Sequence, residues 1–565
     1  MIRNKIKILR NKFIKHKIDG YIIPKNDEFF SEYCKKNRLK FISNFSGSAG
    51  YAVILKKKNY LFVDGRYTIQ AEIESKKNFK IVKYQKIFNC DLFKNLTLGI
   101  DPKLFTSSQI KSFFLKYNKI KLIQKNLIDE ISRKKVDMGK PFFSLKTNIV
   151  GENLNSKLNK IKKFIKKNKS DWIFISAPEN VAWILNIRGH DNPNSPIPNC
   201  HLLLNNYSMY LITKVKNQKN LIKDKKFKKN QIIDPKNFEI LIDRIKGKKI
   251  IIDIKTCSYF YENALSKKFK ILKKEDPIYL LKSIKNKTEI QNMINSHISD
   301  GVALTKFLYW IKIANKRKIT EFDAQNKLEK FRENNQNYLY PSFNTIAGAG
   351  ANGAIVHYRT SKEKAKIIKS NDIFLCDSGG QYKYGTTDVT RTICFSKPKK
   401  YIKNIFTKVL KGHIAVATSD LNLTKTGQLI DKKARKFLKE INLDYEHGTG
   451  HGVGFFLNVH EGPQSISKYN KIKILKGMIL SNEPGYYKKG EFGIRIENLV
   501  YVKKLKKKLF FENLTLAPID IDLIDFKQLT LVEKNYLFKY HMMIYSKISS
   551  FLNKNEKKWL ASLII

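Results

Sequence analysis

Carboxylates and histidines that could hold a metal ion are concentrated between residues 373 and 500 of the 565-residue chain. Asp377 and Asp388 flank a Gly-Gly pair between two strand-like segments, which predicts a hairpin that brings the two carboxylates together. Two carboxylates held so close repel each other unless a proton or a cation lies between them. For either aspartate alone, a hydrogen bond at a strand end is the simpler interpretation.

A glycine-rich stretch from Glu446 to Pro463 carries three histidines. His447 and His451 have the i, i+4 spacing of a helical zinc pair, but four glycines between positions 448 and 454 disfavour a helix. We therefore predict a loop in which glycine lets the backbone approach a ligand while the imidazoles turn inward. A lone histidine is usually a core residue, but three in so short a loop, with His460 as the third, favour a site.

Two further carboxylates follow this loop. Glu483 ends an apolar strand at a Pro-Gly turn, and Arg495 and Glu497 are two residues apart on the next predicted strand, so they share one face. A surface ion pair is the simplest interpretation of Arg495 and Glu497, but apolar segments frame this face. The candidate metal ligands are therefore four carboxylates and one imidazole: Asp377, Asp388, His451, Glu483 and Glu497.

This oxygen-rich set suits hard divalent cations better than a thiolate-lined zinc site does. Two divalent ions supply four positive charges against four carboxylates, and a bridging hydroxide then leaves a net charge of −1. Two ions about 3.5–4 Å apart, sharing a water whose pKa falls to about 7, form a hydrolytic centre. We expect two divalent ions per chain, Mn²⁺ first, with Zn²⁺ or Co²⁺ as alternatives.

The elements around these residues predict a mixed α/β chain. Apolar residues at helical spacing in residues 2–18 run straight into a strand at 20–24, so we interpret them as the first helix of the fold and not as a transit peptide. Strands at 51–55 and 60–64 predict a hairpin. A second α/β block contains strands at 172–176 and 250–254, and a long helix is expected from 289 to about 314. We expect four domains: 1–140, 141–285, 286–508 and 509–565.

Composition narrows the classes of partner. Lys and Arg number 109 against 49 Asp and Glu, which gives a net charge of +60. The lysines are scattered along the chain together with Asn and Ile, as expected for a protein encoded by an AT-rich genome. No cluster of basic and aromatic residues indicates specific nucleic-acid binding. No apolar run reaches the roughly 20 residues of a membrane span. The cysteines include no C-x-x-C pair, which favours a reducing cytoplasm. They are Cys34, Cys90, Cys200, Cys257, Cys376 and Cys394.

Taken in order, these motifs resemble the long form of the Xaa-Pro aminopeptidases (aminopeptidase P), in the superfamily of prolidase, methionine aminopeptidase and creatinase. The resemblance covers nearly the whole chain. Besides the metal-ligand candidates it rests on Ser31–Tyr33, Ser43–Gly50, Asp64–Tyr67, Glu179–Gly189 and Leu514–Asp522. It implies an α/β (α+β) fold: two creatinase-N-like domains, a pita-bread metallopeptidase catalytic domain and a short helical C-terminal region.

The resemblance also implies a role for each ligand. Asp388 and Glu497 would bridge both ions, Asp377 would complete the shell of one ion, and His451 with Glu483 would complete the other. Glu483 would also accept a proton during catalysis. The implied activity is hydrolysis of the bond between any N-terminal residue and a following proline, through a hydroxide bridging two divalent ions.

Other residues would contact the substrate or orient a ligand. By resemblance, His357 would contact the substrate carbonyl region, His460 would stabilise the scissile group, and His447 would lie near the proline. Arg66 would bind substrate, and Arg495 would orient a ligand carboxylate from outside the metal shell.

Two alternatives remain open: a prolidase-type dipeptidase, and a catalytically inactive pita-bread binding protein. We expect a cytoplasmic homodimer, because the tail is too short to bury its own apolar stripe and the resemblance places it at a dimer contact. That stripe is Leu531, Tyr536, Met542, Ile544 and Ile548. The expected partners are peptides with proline second, with no membrane and no specific nucleic acid.

Overall fold

The computed structural model describes residues 2–88, 92–113, 117–132, 139–214, 218–314 and 318–564. The chain divides into two compact units, Met1–Tyr279 and Leu280–Ile565. All the candidate metal ligands belong to the second unit, and Arg66 belongs to the first. Cys90 lies outside the described residues.

The first unit contains two six-stranded sheets, each covered by helices. In spatial order the first sheet is Lys80–Lys83, Asn59–Val63, Tyr51–Leu55, Gly20–Pro24, Thr97–Ile100 and Lys119–Leu122. The second is Ile232–Ile233, Met209–Ile212, His201–Leu204, Trp172–Ile175, Lys249–Ile252 and Lys270–Lys273. The main helices are Ile2–Lys15, Arg38–Ser43, Thr68–Ser75, Ser107–Phe113, Leu127–Ser132, Leu154–Lys167, Pro178–Ile184, Phe238–Arg244 and Tyr259–Ser266.

The predicted elements of the first unit are confirmed. The N-terminal helix runs over Ile2–Lys15 and buries Ile6, Leu9 and Phe13, as helical spacing requires. The strands Tyr51–Leu55 and Asn59–Val63 pair antiparallel as the expected hairpin. Because Gly20–Pro24 is buried along its whole length at the centre of its sheet, its continuous apolar run suits a strand covered on both faces.

The second unit packs helices around short, strongly buried strands. Its helices are Lys287–Ala314, Glu321–Glu333, Lys400–Ala417, Gly427–Lys439, Leu531–Ile548 and Lys554–Ala561. One sheet consists of Ile346–Ala349, Ile373–Ser378 and Val389–Cys394, and another of Tyr338–Pro341, Gly380–Tyr382 and Gly385–Thr386. A five-stranded sheet has the order Glu461–Ile466, Gly450–Gly452, Ile479–Asn482, Asn498–Leu505 and Lys508–Asn513, and Gly485–Lys488 pairs with Phe492–Arg495.

Two local predictions in the second unit are wrong in detail. Strands Ile373–Ser378 and Val389–Cys394 do pair antiparallel, but Gly379-Gly380 is not the turn between them, because the chain first makes a second, smaller hairpin. A Cβ on Gly379 would lie 2.0 Å from the Thr387 carbonyl oxygen, so this glycine allows a close backbone approach. The glycine-rich stretch forms no helix, as expected, but His451 lies on the short strand Gly450–Gly452 and not in a loop.

The tail buries more of its apolar surface than expected. Ile544 and Ile548 are fully buried in a core that includes Phe406 and Val409, and Tyr536 packs against the same core. The expectation that the tail cannot bury this stripe is therefore wrong for these three residues. Leu531 and Met542 do stay exposed, together with Val532 and Phe538.

The described residues contain neither a disulfide nor a helix suited to crossing a membrane. The described cysteines are all buried and carry no disulfide. Within those same ranges, no helix has both the length and the apolar character that a membrane crossing requires.

A buried arginine fixes the tail segment to the strand that follows Asp388. Arg391 donates hydrogen bonds to the carbonyls of Glu497, Ala517 and Pro518 at 2.7, 2.7 and 3.0 Å, and to the Tyr540 hydroxyl at 3.0 Å. A buried guanidinium is stable only when its donors are satisfied, so these contacts hold together the chain around Glu497.

Removing the Tyr540 hydroxyl should destabilise the second unit. Tyr540→Phe removes one acceptor of the buried Arg391 and one donor to Asn498 Oδ1, while Arg391 Nη2 still donates to Asn498 Oδ1 and to the Ala517 carbonyl, so we expect the free energy of unfolding to fall by about 1 kcal/mol. Chemical denaturation followed by tryptophan fluorescence measures it. Tyr545→Phe on the same helix is the matched control, with an expected change within about 0.5 kcal/mol. Equal losses in both variants would contradict this account of the anchor.

Candidate metal centre

Four of the five candidate ligands meet in one buried cluster. Ligand atoms of Asp388, His451 and Glu497 all lie within 4.8 Å of one another. His451 Nε2 is 3.4 Å from Asp388 Oδ2 and 3.4 Å from Glu483 Oε1. Residues up to 109 positions apart in the chain (388 to 497) are thus brought within reach of a single cation.

Asp377 borders this cluster and is held by Arg495. It is opposite Thr390 in the antiparallel pair of strands, and Thr390 is two residues after Asp388. Arg495 Nη2 donates to Asp377 Oδ2 at 2.5 Å, whereas Asp377 Oδ1 is buried and accepts no hydrogen bond from a described residue. One carboxylate oxygen is therefore positioned by the protein, and the other is left for a ligand.

Arg495 and Glu497 share a face, as predicted, but they do not lie on one strand. The strand Phe492–Arg495 ends at Arg495, and Glu497 immediately precedes Asn498–Leu505. Both contact one hydroxyl: Thr390 Oγ1 accepts from Arg495 Nε at 3.0 Å and donates to Glu497 Oε2 at 2.8 Å. Both side chains are 2% exposed, so the surface ion-pair interpretation is excluded.

A second network of hydrogen bonds connects the glycine-rich stretch to the helix Gly427–Lys439. On helix Gly427–Lys439, Asp431 accepts from Thr449 Oγ1 at 2.7 Å and from Arg435 Nε at 2.8 Å. Arg435 Nη2 donates to the His447 carbonyl at 2.7 Å, and the Thr449 carbonyl accepts from the Glu483 amide at 2.8 Å. This helix therefore fixes the backbone that presents both His451 and Glu483.

His447 does not join the ligand cluster but ends a chain of hydrogen bonds that starts at Asp377. Arg495 Nη1 donates to the Tyr487 hydroxyl at 2.6 Å, and this hydroxyl donates to His447 Nε2 at 2.9 Å. Burial lowers the pKa of His447 to about 4, so its ring is neutral and its Nδ1–H donates to the Gly448 carbonyl at 2.7 Å. Tyr487 thus links the position of the His447 ring to that of the Arg495 guanidinium.

Sequence reasoning missed the role of Tyr487. A signal for it existed in the hairpin register: Gly485 pairs with Arg495 and Tyr487 with Gly493, so Tyr487 and Arg495 are diagonal neighbours on one face. The supporting residues Asp431 and Arg435 gave no such signal, because they reach the site from a separate helix.

The remaining candidates differ in how closely they approach the cluster. His460 is exposed, and its ring centroid is 4.2 Å from that of His451. His357 is half-buried, beyond the turn Gly350–Ala354. In the first unit, Arg66 forms a two-point ion pair with Asp64, at 3.0 and 2.7 Å.

Confinement of like charges changes the acidity of the cluster. Burial, together with Asp388 and Glu483, raises the pKa of Asp377 to about 7 despite the nearby Arg495 guanidinium. Burial and the other carboxylates also raise the pKa of Glu497. Burial lowers the pKa of His451, but the hydrogen bond and charge of Asp388 and the charge of Glu483 raise it to about 9. Without a cation, the cluster therefore retains protons near neutral pH.

These residues fit a divalent cation. The donors are carboxylate oxygens and one imidazole, the buried Asp377 Oδ1 has no described hydrogen-bond partner, and the excess negative charge calls for a compensating cation. The other acidic group, Cys394 with Asp520 and Asp522, differs because the Lys312 ammonium lies 2.8 Å from both aspartates. The Lys312 ammonium therefore already compensates one of the two carboxylate charges of this group.

Family comparisons cover almost the whole chain. Residues 291–504 match metallopeptidase family M24, and residues 507–563 match the C-terminal region of that peptidase family. Residues 5–129 and 132–289 each match a creatinase/prolidase N-terminal domain.

Individual relatives extend over the same length. Xaa-Pro aminopeptidase 1 of Dictyostelium discoideum is 37% identical, covering 100% of this chain and 96% of its own. A probable Xaa-Pro aminopeptidase P of Coprinopsis cinerea is 35% identical, covering 98% and 96%. The crystal structure of X-prolyl aminopeptidase from Caenorhabditis elegans, described as a cytosolic enzyme with a di-nuclear active site, is 29% identical with a TM-score of 0.92, covering 100% and 99%.

Metal loading should release protons. At pH 6.5 Asp377 and His451 are protonated in the metal-free protein, because their pKa values are raised to about 7 and 9, and ligation requires their deprotonated forms. Metal affinity should therefore fall as the pH is lowered through about 9, where His451 takes up its proton, and further through about 7, where Asp377 does. Calorimetric titration with Mn²⁺ in two buffers of different ionisation enthalpy measures the released protons.

The control for this experiment is Asp377→Asn. The amide keeps an oxygen for Arg495 but carries no titrating proton, so this variant should bind Mn²⁺ more weakly and release fewer protons. Identical heats in the two buffers for the unmodified chain would show that the cluster is already deprotonated, contrary to this prediction.

Proposed function

This chain belongs to metallopeptidase family M24 and, within it, to the Xaa-Pro aminopeptidases, and we propose that it releases the N-terminal residue of peptides whose second residue is proline. The observation that carries this is the buried cluster of Asp388, His451, Glu483 and Glu497, bordered by Asp377. The fold of the chain is the one that the sequence predicts: mixed α/β, with creatinase-type N-terminal domains, an M24 catalytic domain and a C-terminal region.

In this proposal the five ligands hold two divalent ions, with Mn²⁺ as the expected metal. Asp388 and Glu497 would be shared by both ions, Asp377 would complete the ligand set of one ion, and His451 with Glu483 would complete that of the other. Bound ions of this kind lower the pKa of a water molecule and polarise a carbonyl. The metal-free pKa shifts support the assignment, because they show the electrostatic excess that such ions would balance.

Glu483 is the proposed proton acceptor. Its Oε1 accepts from Ser481 Oγ at 3.0 Å, which holds the carboxylate in place at the end of its strand. His451 and Arg495 lower the pKa of Glu483 against the effect of burial, so the group is ionised and able to take a proton. Arg495 acts through Asp377 as a positioning residue, since its guanidinium also bonds Thr390 and Tyr487.

The substrate side is assigned to histidines and aromatic rings. His460 lies beside His451 and is exposed, which suits a donor to the scissile carbonyl, and His357 is the proposed second contact to the substrate carbonyl region. His447 stands between the rings of Tyr445 and Tyr487, at 4.9 and 5.4 Å. We assign proline recognition to this aromatic group, because a pyrrolidine ring packs well on flat apolar surfaces.

Three finer assignments are also proposals. Arg66 contacts the substrate, which the solvent exposure of its side chain permits. The chain forms a homodimer, for which the exposed Leu531, Val532, Phe538 and Met542 provide apolar surface. It acts in the cytoplasm, as the relative from Caenorhabditis elegans does.

Substrate preference distinguishes this activity from its alternatives. Replacing proline by alanine in an Ala-Pro-Xaa tripeptide removes ring packing and frees the backbone, which we expect to cost about 2–3 kcal/mol of transition-state binding, roughly 30- to 150-fold in kcat/KM. Release of free alanine from the matched pair with Mn²⁺ measures this. Equal rates would exclude Xaa-Pro specificity, and cleavage of dipeptides alone would indicate a prolidase.

Replacing Glu483 should abolish turnover without unfolding the chain. Glu483→Gln keeps the shape and the Ser481 contact but cannot accept a proton, so we expect kcat to fall by at least about 100-fold. Glu446→Gln, an exposed carboxylate in the neighbouring loop, is the matched control and should retain full activity. Circular dichroism and bound-metal analysis accompany the assay. An unchanged rate in Glu483→Gln would refute this role.

A further inference from the structure

The first unit contains a cavity of about 520 Å³ that none of the assignments above uses. The cavity lies where the two halves of the first unit meet, since residues from 28–124 and from 201–267 line it together. Backbone hydrogen bonds fix this junction: Tyr259 N donates to the Phe105 carbonyl at 2.7 Å, and Phe260 N to the Pro102 carbonyl at 3.0 Å. Small-molecule sites have this size and favour such junctions between domains.

Aromatic rings form one wall of the cavity. Phe29 lies 5.0 Å from the ring of His201, and His201 lies 4.7 Å from that of Tyr261, measured between centroids. Phe260 continues this wall, 5.2 Å from Tyr261. These rings offer flat apolar surface to the body of a ligand.

Positive charge surrounds the opening. Of the acidic groups at the cavity, Glu28 is bound by the buried Arg38 at 2.7 Å and Glu239 by Lys267 at 3.0 Å. Among the described residues, the remaining lysines of the lining have no salt bridge to a carboxylate: Lys103, Lys214 and Lys236. The cavity therefore has a net attraction for an anion.

His201 adds a hydrogen-bond acceptor to this wall. It is 3% exposed, and its Nδ1 lies 2.8 Å from the Ser176 carbonyl, which only accepts, so Nδ1 carries the proton. Burial lowers the pKa of His201 to about 4, which leaves the ring neutral with a lone pair on Nε2. No described residue donates to this Nε2. A buried polar atom without a partner calls for a donor from outside the chain.

We propose that this cavity binds a small aromatic anion that carries an N–H or O–H donor, the chemistry of a nucleoside monophosphate. The planar body lies against Phe29, Phe260 and Tyr261, the donor meets His201 Nε2, and the anionic group lies among the lysines. Both halves of the first unit contribute contacts, so binding also stabilises their junction.

Adenosine monophosphate is the probe, titrated by calorimetry into the full, Mn²⁺-loaded chain at about 0.15 M ionic strength, where diffuse surface attraction is screened. We expect saturable binding at least about tenfold tighter than that of adenosine or of inorganic phosphate, because only the nucleotide meets both the aromatic wall and the lysines. Absence of saturation below about 1 mM, or equal affinities for nucleotide and phosphate, would overturn the proposal.

Variants locate the binding. The double variant Lys103→Met with Lys236→Met keeps the apolar part of both side chains but removes their charge. His201→Phe keeps an aromatic ring but removes the Nε2 acceptor. Each of these changes should weaken nucleotide binding about tenfold. Lys163→Met with Lys167→Met, two exposed lysines on a helix of the same unit, removes equal charge and should leave affinity unchanged. Equal weakening in both lysine pairs, or no loss in the cavity pair, would assign the nucleotide to diffuse charge or to the metal centre. The comparison of the cavity lysine pair with the control lysine pair decides the question even if His201→Phe fails to fold.

Discussion

The repulsion among buried carboxylates is the constraint on which the catalytic unit depends. Asp377, Asp388, Glu483 and Glu497 are confined together, and burial plus mutual charge raises the pKa of both Asp377 and Glu497. Such a cluster is unfavourable unless cations or protons occupy it, so its free energy is lowered by the same ions that would perform hydrolysis. Stability and catalysis are thereby linked through one set of side chains.

The surrounding structure keeps these charges in place. Arg495 holds one oxygen of Asp377, and through Thr390 it is tied to Glu497. Glycine permits the tight assembly: a Cβ on Gly450 would lie 1.9 Å from the Ser481 carbonyl oxygen, so no other residue fits beside His451. Ligand positions are set by buried strands and helices, which is the arrangement that a preorganised site requires.

Prediction from the sequence worked best where pattern and period are local. The helix Lys287–Ala314 and the strand Gly20–Pro24 follow from apolar spacing alone. It failed where the backbone contacts of a glycine decide the local structure. Gly379 serves a close approach to Thr387 and not a turn. His451 lies on a strand because Gly450 pairs with Ile466 and Gly452 with Glu461. The tail stripe was misjudged because Ile544 and Ile548 pack into a core that the tail shares with the earlier helix Lys400–Ala417.

The sequence by itself determined the family and the candidate donor set, whose oxygen-rich chemistry suits hard divalent ions, because residue types and their order along the chain carry that information. Only the tertiary structure decided which carboxylate oxygen is held by Arg495, that Tyr487 connects Arg495 to His447, and that Asp431 and Arg435 support the histidine segment from another helix. It also decided that Phe29 and His201 share a cavity wall. Apart from the hairpin contact of Tyr487 with Arg495, these relations join residues at least twelve positions apart, and they exist only once the long-range packing has formed.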